Sequence, residues 1–341
     1  MKQTQKEGAA EIHYHARAVP TRKMPVFYNP VMKHQRDIAI SLIQNYFTGP
    51  IRVALPFAGT GVRGIRILKE CTDAEVHFND ISEDAIQLIE KNLTYNAVTG
   101  ACTQLDANVF LRTHGQFDYI DIDPYGSSIY FIESAVFALK KGGILAVTNT
   151  DTAPLCGSYP KVCRRRYGAT PIESAMKHEF GTRILIKAIQ EIGLRHDIAL
   201  VPVLAYAKDH YIRAYFKKSN SKELCDTILA QHTYMNQETD MTLKKAKSGY
   251  GPIWIGSLFD PKLVLPEDSF SQTVREENAI AVPFSYDLHE LSKAYKKDIP
   301  SFKTLIPEIQ KQGYVCSRTI FSKTAIKTTM PKKKLLELAH R

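Results

Sequence analysis

The sequence predicts an α/β protein built on a mostly parallel sheet and followed by a smaller α+β domain. Short apolar strands alternate with amphipathic helices from Ile51 to Thr148, which is the pattern of right-handed parallel sheets. A glycine-rich loop follows the first of these strands and opens a helix. Near Lys218 the chain changes to Lys-rich segments with shorter periodic runs. We therefore predict one domain over residues 1–218 and a basic second domain over residues 219–341.

The size, charge and composition of the chain limit the kinds of protein that it can be. Its 341 residues, 44% of them hydrophobic and 23% charged, suffice for about two globular domains and exclude a disordered or fibrous protein. The formal net charge of +10 favours a polyanionic partner, because each neutralised phosphate releases counterions. No stretch reaches about 18 uninterrupted apolar residues and the first residues contain no apolar run, so we expect a cytoplasmic protein without a membrane partner.

The cysteines indicate neither a metal site nor a disulfide framework. The chain has six of them, with no C-x-x-C pair and no paired histidine spacing. We therefore expect reduced thiols and no bound metal. We also expect the protein to be monomeric.

An aromatic segment bracketed by prolines, Pro25 to Pro30, precedes the sheet and is predicted to be extended or turning. Two interpretations of this N-terminal strap stay open: it packs on the core, or it offers Phe27 as a stacking face. Gln35-Arg36-Asp37 then opens a helix. Arg36 lies in the first turn, where the helix dipole disfavours a cation, so it indicates either a nearby anion or a solvated surface arginine.

The loop after the first strand matches G-x-G-x-x-G, with Gly59, Gly61 and Gly64 as its glycines. These glycines let the backbone approach a ligand, and the helix N-terminus together with Arg63 favours a carboxylate or phosphate. The second strand ends in Asp80, about twenty residues past the first glycine, where a ribose needs an acceptor. The glycine loop, its position between a strand and a helix, and the acid after the next strand together predict a nucleoside-bearing cofactor.

Two later strand ends carry further candidate ligand residues. Asp106 follows the third strand and suits the exocyclic amine of an adenine, although an isolated D-A-N is more often a turn. The strand from Phe117 to Ile122 runs into Asp123-Pro124-Tyr125-Gly126, which is ordinary type I turn chemistry. The same corner could instead hold a flat aminated ring, because it offers an acid, a carbonyl and an aromatic face.

The remaining elements complete the predicted sheet and the second domain. After Asp123 we predict a helix ending at Leu139, and an apolar strand from Ile144 to Thr148. The later segments are predicted as a loop over 151–166 with the basic cluster Arg164-Arg165-Arg166, a helix over 173–192 interrupted by Gly181, an antiparallel hairpin of 198–206 and 211–217, helices over 288–297 and 301–312, and a strand pair over 314–320 and 324–329. The last four match the helix, helix and strand-pair pattern of a nucleic-acid module. Lys323, Lys327 and Lys332 to Lys334 add positive charge to this part, or they form a solubilising tail.

Two cofactors fit the glycine loop: a dinucleotide for a dehydrogenase, or S-adenosyl-L-methionine for a methyltransferase. The corner at Asp123 favours the second, because hydride transfer has no need of such a group beside the cofactor. The Asp123 carboxylate and the Pro124 carbonyl could draw the N–H groups of an aromatic amine out of plane and aim its lone pair at a methyl donor. Stacking on Tyr125 would hold the ring, and Phe27 could cover its other face once the base leaves its stack.

The sequence resembles the tRNA guanine-26 N(2)-dimethyltransferase family, especially its archaeal members. The matching segments are V-F-Y-N-P-V-M, Gln35-Arg36-Asp37, G-T-G-V-R-G-I-R, N-D-I-S-E-D-A, D-I-D-P-Y-G-S, T-D-T-A-P-L-C-G, A-Y-A-K-D-H-Y-I-R-A and G-P-I-W-I-G. The family usually has Asn where this chain has Gln35, and often Phe where it has Tyr125. Some relatives carry a cysteine zinc cluster, whereas Cys225 stands alone here.

The resemblance implies a fold, an activity and a set of site residues. The fold is a Rossmann-like class I S-adenosyl-L-methionine-dependent methyltransferase sheet, and the reaction transfers one or two methyl groups to the 2-amino group of a guanosine in tRNA. Asp123 and Pro124 are expected to be catalytic, and Phe27 and Tyr125 to sandwich the guanine. The predicted cofactor residues are Arg36, Gly59, Thr60, Gly61, Arg63, Asp80, Ile81, Asp106 and Ala107.

Two alternatives stay open. One is an amine methyltransferase that acts on DNA or protein, and the other is a catalytically inactive RNA-binding protein of the same fold. The residues do not decide between one and two methyl groups. They also leave open whether the C-terminal domain or the Arg164–Arg166 segment contributes more to tRNA binding.

Overall fold

The computed structural model describes residues 2–15, 26–237, 243–280, 282–296 and 298–339. Pro25 of the predicted strap and Lys297 of a predicted helix lie outside these ranges. The chain starts with an antiparallel hairpin, β1 (Lys2–Glu7) and β2 (Ala10–His15), which packs on the helices that flank the central sheet. Val26 and Tyr28 of the strap are buried, so part of this segment does pack on the protein.

The central sheet contains seven strands, and apolar residues fill most of its length. These strands are β3 (Ile51–Leu55), β4 (Ala74–Asn79), β5 (Ala101–Thr103), β6 (Phe117–Ile122), β7 (Leu139–Asn149), β8 (Ala199–Lys208) and β9 (Tyr211–Ser219). Their order is β5-β4-β3-β6-β7-β9-β8, with β9 antiparallel to both of its neighbours. Nearly continuous burial along β6 and β7 is expected for strands that helices cover on both faces.

Helices connect the parallel strands, so the predicted α/β fold is confirmed. The helices of this part are α1 (Lys33–Tyr46), α2 (Val62–Glu70), α3 (Glu83–Tyr95), α4 (Ala107–Thr113), α5 (Ile132–Ala138), α6 (Thr152–Leu155), α7 (Pro160–Tyr167) and α8 (Lys177–Leu194), with short 3-10 turns at Pro30–Met32 and Ile129–Phe131. The predicted hairpin closes the sheet as β8 and β9, with Asp209 at positive φ in its turn.

Three local predictions were wrong. Residues 151–166 are not a loop but form α6 and most of α7, whose first residue is Pro160, a position where proline costs no helical hydrogen bond. Gly181 does not interrupt α8; a Cβ there would lie 2.9 Å from the Leu155 carbonyl oxygen, so the glycine allows close helix packing. Strand β7 begins at Leu139 and includes Gly142 and Gly143, whereas the strand was predicted to begin only at Ile144.

The C-terminal part is a mixture of helices and small antiparallel sheets, as predicted. Its elements are α9 (Lys222–Ala230), β10 (His232–Gln237), β11 (Leu243–Ala246), β12 (Tyr250–Trp254), α10 (Ser269–Asn278), β13 (Tyr286–Asp287), α11 (Leu288–Tyr295), α12 (Phe302–Lys311), β14 (Cys316–Thr319), β15 (Ser322–Thr328) and α13 (Lys332–Ala339). Strands β13, β14 and β15 form one sheet, and β10, β11 and β12 another.

The buried apolar residues form two main cores. The larger one surrounds the central sheet and includes Trp254 and Phe284 from beyond residue 219. The smaller one lies in the last part of the chain, between α11, α12, α13 and the β14–β15 pair, with Leu291 and Ile309 at its centre. Among the described residues, no helix is long and apolar enough to cross a membrane.

Candidate active site

The glycine loop lies at the carboxyl end of β3 and opens α2. Gly59 and Gly61 have φ values of +53° and +79°, which a residue with a Cβ rarely adopts. A Cβ on Gly64 would lie 2.2 Å from the Phe78 ring, so the third glycine lets α2 pack closely on β4. Thr60 between the first two is buried, and its carbonyl accepts a hydrogen bond from Asn92 at 2.9 Å. The loop thus has the close-approach geometry that the motif predicts.

The acid after β4 is placed against this loop. Asp80 Oδ2 accepts the Gly59 N–H at 3.0 Å, and its Oδ1 accepts the Ser82 N–H at 3.1 Å, so two backbone donors hold the carboxylate at the strand end. Ile81, the next residue, is 69% exposed although it is apolar. An acid of fixed orientation beside an uncovered apolar side chain fits a sugar hydroxyl pair and the base attached to it.

The third strand end supplies a second acid. Asp106 is the N-cap of α4, and its Oδ1 accepts the N–H groups of Asn108 and Val109 at 2.9 and 3.3 Å. Ala107 is buried at the start of the helix. The D-A-N segment therefore is a helix cap. Among the described residues no hydrogen bond to the other carboxylate oxygen is found, so that oxygen can accept from a ligand at the same edge of the sheet.

The corner after β6 lies on the same edge, next to the glycine loop. Asp123 is 19% exposed, and its Oδ2 accepts a 2.8 Å hydrogen bond from Nη2 of Arg63 in α2. Pro124 is buried and Tyr125 is 50% exposed. The Gly126 N–H donates to Thr150 Oγ1 at 2.7 Å, and the Thr150 N–H donates back to the Gly126 carbonyl at 3.0 Å. The strand next to β6, and not an internal turn hydrogen bond, thus shapes this corner.

Arg63 connects the glycine loop to the corner. Its guanidinium bonds Asp123, and its Nη1 lies 3.2 Å from Asp121 Oδ2. Burial disfavours the charged guanidinium, but the two carboxylates outweigh it and raise the pKa of Arg63. The buried Nη1 atom has no hydrogen-bond partner among the described residues. An unsatisfied cationic donor beside a glycine loop fits the carboxylate of an amino-acid group.

A buried ion pair underlies the corner. Arg213 of β9 is fully buried and binds Asp121 with both amino groups, at 2.8 and 2.6 Å. The Tyr119 hydroxyl donates to the same carboxylate at 2.8 Å. Burial pushes the pKa of Asp121 upward, but Arg213 and Arg63 outweigh it and hold the pKa below its ordinary value. Asp121 is therefore a carboxylate that fixes the arginine below Asp123.

Sequence reasoning missed Asp121 and Arg213 as parts of the site. Two signals could have found them. In the alternation of F-D-Y-I-D-I-D, Asp121 stands two residues before Asp123, and Arg213 is a lone cation inside the apolar strand Y-I-R-A-Y-F. A charged residue inside a strand buried on both faces needs a partner, because an unpaired buried charge is strongly unfavourable.

The two rings predicted to hold the base do meet, but not as parallel plates. The centroids of Phe27 and Tyr125 are 5.0 Å apart, with an interplanar angle of 74°. This edge-to-face contact leaves no slot between the rings. A base can lie between them only after one of the rings has moved.

Arg36 forms an ion pair within the chain, with Glu7. Its Nε and Nη2 bind the two oxygens of Glu7 at 2.6 Å each, and Nη2 also donates to the Asn29 carbonyl at 3.2 Å. Glu7 is the last residue of β1 and also contacts Arg66. Arg36 thereby joins the N-terminal hairpin and the strap to α1, and its predicted role toward a cofactor stays a prediction.

All six cysteines are free thiols. Across residues 2–15, 26–237, 243–280, 282–296 and 298–339, no three His, Cys, Asp or Glu side chains are grouped to hold a metal ion.

Comparisons with known proteins agree with this geometry. The family model for N2,N2-dimethylguanosine tRNA methyltransferase matches residues 8–340. The chain is 34% identical to the tRNA (guanine(26)-N(2))-dimethyltransferase of Pyrococcus horikoshii over 93% of each protein. It is 35% identical to the tRNA (guanine(26)-N(2)/guanine(27)-N(2))-dimethyltransferase of Aquifex aeolicus, over 93% of this chain and 82% of that protein. The structure of Trm1 from Pyrococcus horikoshii with S-adenosyl-L-methionine aligns with a TM-score of 0.86 and 32% identity, covering 99% of this chain and all of that one.

Proposed function

The chain belongs to the N2,N2-dimethylguanosine tRNA methyltransferase family, and from this premise we propose that Asp123 and Pro124 receive the 2-amino group of guanosine 26 in tRNA. The protein is a tRNA guanine N2-methyltransferase that uses S-adenosyl-L-methionine. Guanosine 26 is the position common to the names of the two relatives described above.

One observation carries the residue assignment. The Asp123 carboxylate stands at the carboxyl end of β6, partly open to solvent, and is bound at 2.8 Å by an arginine from the helix that the glycine loop opens. In open α/β sheets ligands bind at this edge. A group that receives the substrate amine and a loop that receives the methyl donor are thereby neighbours.

The residues present fit S-adenosyl-L-methionine. Asp80 would accept the ribose hydroxyls, Ile81 would cover a face of the adenine, and Asp106 and Ala107 would meet its amino edge. Gly59, Thr60 and Gly61 would let the backbone approach the cofactor closely. The Nη1 atom of Arg63, which has no hydrogen-bond partner among the described residues, suits the carboxylate of the cofactor's methionine part. Arg36 is bound by Glu7, and through this contact it would support the strap beside the cofactor. When bound, the cofactor supplies an electrophilic methyl group.

The corner prepares the amine for transfer. The lone pair of a guanine 2-amino group is delocalised into the ring, so the nitrogen is a poor nucleophile while it is coplanar with the ring. Asp123 still has Oδ1 to offer, since Arg63 occupies Oδ2, and the Pro124 residue adds a carbonyl. Two acceptors on the N–H groups orient the amine, and the lone pair then points away from both. The methylated nitrogen is cationic and acidic, and it gives up one proton to the Asp123 carboxylate or to solvent. A single N–H then remains, and one of the two acceptors suffices for the second methylation.

Phe27 and Tyr125 hold the base. The target base must leave its stack to reach the corner, and aromatic faces compensate for the lost stacking. Because the two rings touch edge to face, the base enters by displacing one of them. Tyr125 is half exposed, so it is the ring with room to turn.

We assign residues 219–341 as the basic C-terminal domain that contributes to tRNA binding. Most of its positive charge lies in residues 285–341, which contain 12 Lys and Arg against 5 Asp and Glu. This segment contains the smaller hydrophobic core, and so has a packed unit of its own. We further propose that the protein acts as a monomer and meets its tRNA substrate in the cytoplasm.

The function is tested with an unmodified tRNA transcript and labelled S-adenosyl-L-methionine, followed by mass-spectrometric analysis of the nucleosides. We expect N2,N2-dimethylguanosine at position 26, and none when the transcript carries adenosine there. Label in a neighbouring guanosine of that control would move the assigned position. The proposal would be overturned if protein that binds the cofactor produced no methylated guanosine.

A further inference from the structure

The helix α7 lies directly beside the catalytic corner and is tied to it. The Tyr167 hydroxyl, at the end of α7, is 2.8 Å from Ser127 Oγ and 2.9 Å from Asp151 Oδ2. Ser127 is two residues beyond Tyr125, and Tyr167 and Cys163 are the buried residues of the helix. These contacts hold one face of α7 against the corner. Because the helix is held there, its outer face also has a fixed position relative to Asp123.

The outer face of α7 is strongly basic. The helix reads P-K-V-C-R-R-R-Y and contains no acidic residue. Lys161, Arg164 and Arg165 are exposed and have the i, i+3, i+4 spacing of one helix face. Arg164 donates to Thr170 Oγ1 at 3.1 Å, while Lys161 and Arg165 make no ion pair with any residue the structure describes.

The helix dipole explains only part of this charge. Cations in the last turn are favourable, which accounts for the arginines. Lys161 is in the first turn, where a cation is unfavourable and a carboxylate would be preferred. The dipole therefore accounts for the arginines of α7 but not for Lys161.

Exposed aromatic rings stand beside the basic face. Tyr159, immediately before α7, is 59% exposed, and Tyr130, in the 3-10 turn after the corner, is 61% exposed. Asp151 raises the pKa of Arg166, and Tyr130 adds to the shift, so Tyr130 lies near the last turn of α7. Exposed rings next to unpaired cations are the combination that binds unstacked nucleotides, with the rings on the bases and the cations on the phosphates.

We propose that Tyr130, Tyr159, Lys161, Arg164 and Arg165, the α7 surface, form an RNA-binding surface that receives the tRNA strand flanking the target guanosine. The inference rests on the proposed function, because the corner needs a base out of its stack and the neighbouring nucleotides must then lie within reach of it. Lys161 and Arg165 bind phosphates, and Tyr159 takes the face of an unstacked base.

The test compares two double charge reversals. Lys161→Glu/Arg165→Glu changes the α7 surface, and Lys69→Glu/Lys141→Glu makes the same change in net charge at exposed positions on the opposite edge of the sheet. For the first variant we expect the affinity for unmodified tRNA, measured by fluorescence anisotropy, to fall at least about tenfold, and the slope of log affinity against log salt to lose about two units. The control should change little, and both variants should keep the wild-type affinity for S-adenosyl-L-methionine in calorimetry.

A second pair of variants tests the aromatic part. Tyr159→Ala should raise the KM for tRNA several-fold with kcat nearly unchanged, whereas Tyr159→Phe, which keeps the ring, should behave as wild type. If the first charge reversal lowers the melting temperature, Lys161→Gln/Arg165→Gln removes the charges without introducing repulsion.

Two results would overturn the inference: tRNA affinity of the α7 variants equal to wild type, or an equal loss in the control. Either result leaves the proposed function standing as long as the wild-type protein methylates tRNA. Absence of methyl transfer by the wild type is a failure of the proposed function instead.

Discussion

Two buried charge networks in this protein use the same chemistry in different ways. The corner network consists of Arg63, Asp121, Asp123 and Arg213, and lies beneath the carboxyl end of β6. The seam network consists of Glu179, Arg183, Glu277 and Lys327, and joins α8, α10 and β15. Each contains two acids and two bases, so neither leaves net charge in the interior.

The networks differ in their access to solvent. Every side chain of the seam network is at most 4% exposed, and its carboxylates also accept backbone N–H groups, from Phe284 at 2.9 Å and from Ile320 at 3.0 Å. In the corner network Asp121 and Arg213 are equally closed, but Asp123 remains 19% exposed. A closed network can only hold elements together, whereas one that ends in an accessible carboxylate can also bind a ligand.

Removing the central acid of the corner network is expected to have the largest effect. Asp121→Asn leaves the guanidinium of Arg213 fully buried without its anion, which costs about 3–5 kcal/mol of unfolding free energy. Denaturation by urea measures this loss. Turnover at low temperature should also fall, because Arg63 loses the carboxylate that positions it below Asp123. A change below about 1 kcal/mol would show that the network does not depend on its buried pair.

Removing the accessible acid should separate catalysis from stability. Asp123→Ala is expected to lower kcat about 10²- to 10³-fold, the range seen when one preorganised polar group is removed from an active site. The unfolding free energy should change by less than about 1 kcal/mol, because the side chain is partly solvated. Single-turnover kinetics and calorimetry with S-adenosyl-L-methionine check this. A near-normal rate would mean that another group receives the amine.

Weakening the seam network should affect stability alone. In Glu277→Gln the ammonium of Lys327 loses the negative charge at 2.7 Å, and the carboxylate of Glu179 at 3.3 Å is the anion that remains in the network. We expect a loss of about 1–3 kcal/mol of unfolding free energy, with kcat unchanged below the transition temperature. If kcat fell along with stability, the two networks would be coupled and the distinction between them would not hold.

Lowering the pH should weaken the two networks one after the other. Of the four predicted effects on the protein, this change in stability should be the smallest. Burial alone would raise the pKa of Glu179, but the charges of Lys327 and Arg183 outweigh burial and hold the pKa below the ordinary value of 4.5. The pKa of Asp121 likewise lies below its ordinary value of 3.8. Acids with a depressed pKa in the folded state stabilise it above their ordinary values and lose that contribution as the pH falls. Unfolding free energy, measured from pH 7 to pH 3, should begin to fall near pH 4.5 from the seam and near pH 3.8 from the corner. In Asp121→Asn the second component should be absent.

Much of the fold followed from local pattern. The strands alternate with helices, and the glycines of the loop are required by backbone geometry, so the parallel sheet and its ligand edge were predictable. The wrong predictions concern residues that usually end elements: Pro160 begins α7, Gly142 lies within β7, and Gly181 lies within α8 for a tertiary reason. For Gly181 that reason is the approach of the Leu155 carbonyl, which comes from another helix.

The sequence by itself determined the sheet, the nucleoside-binding edge and the acid at the end of β6, because these depend on neighbours in the chain and on the order of strands. Only the tertiary structure decided what surrounds that acid. Arg213 is 92 residues from Asp121, and Thr150 is 24 residues from Gly126, yet they fix the orientation of the corner. The tertiary structure also decided that Arg36 meets Glu7 and that α7 contacts Ser127, two residues beyond Tyr125. Contacts between charged groups far apart in the chain depend on how the layers pack, and packing is not encoded in any local pattern.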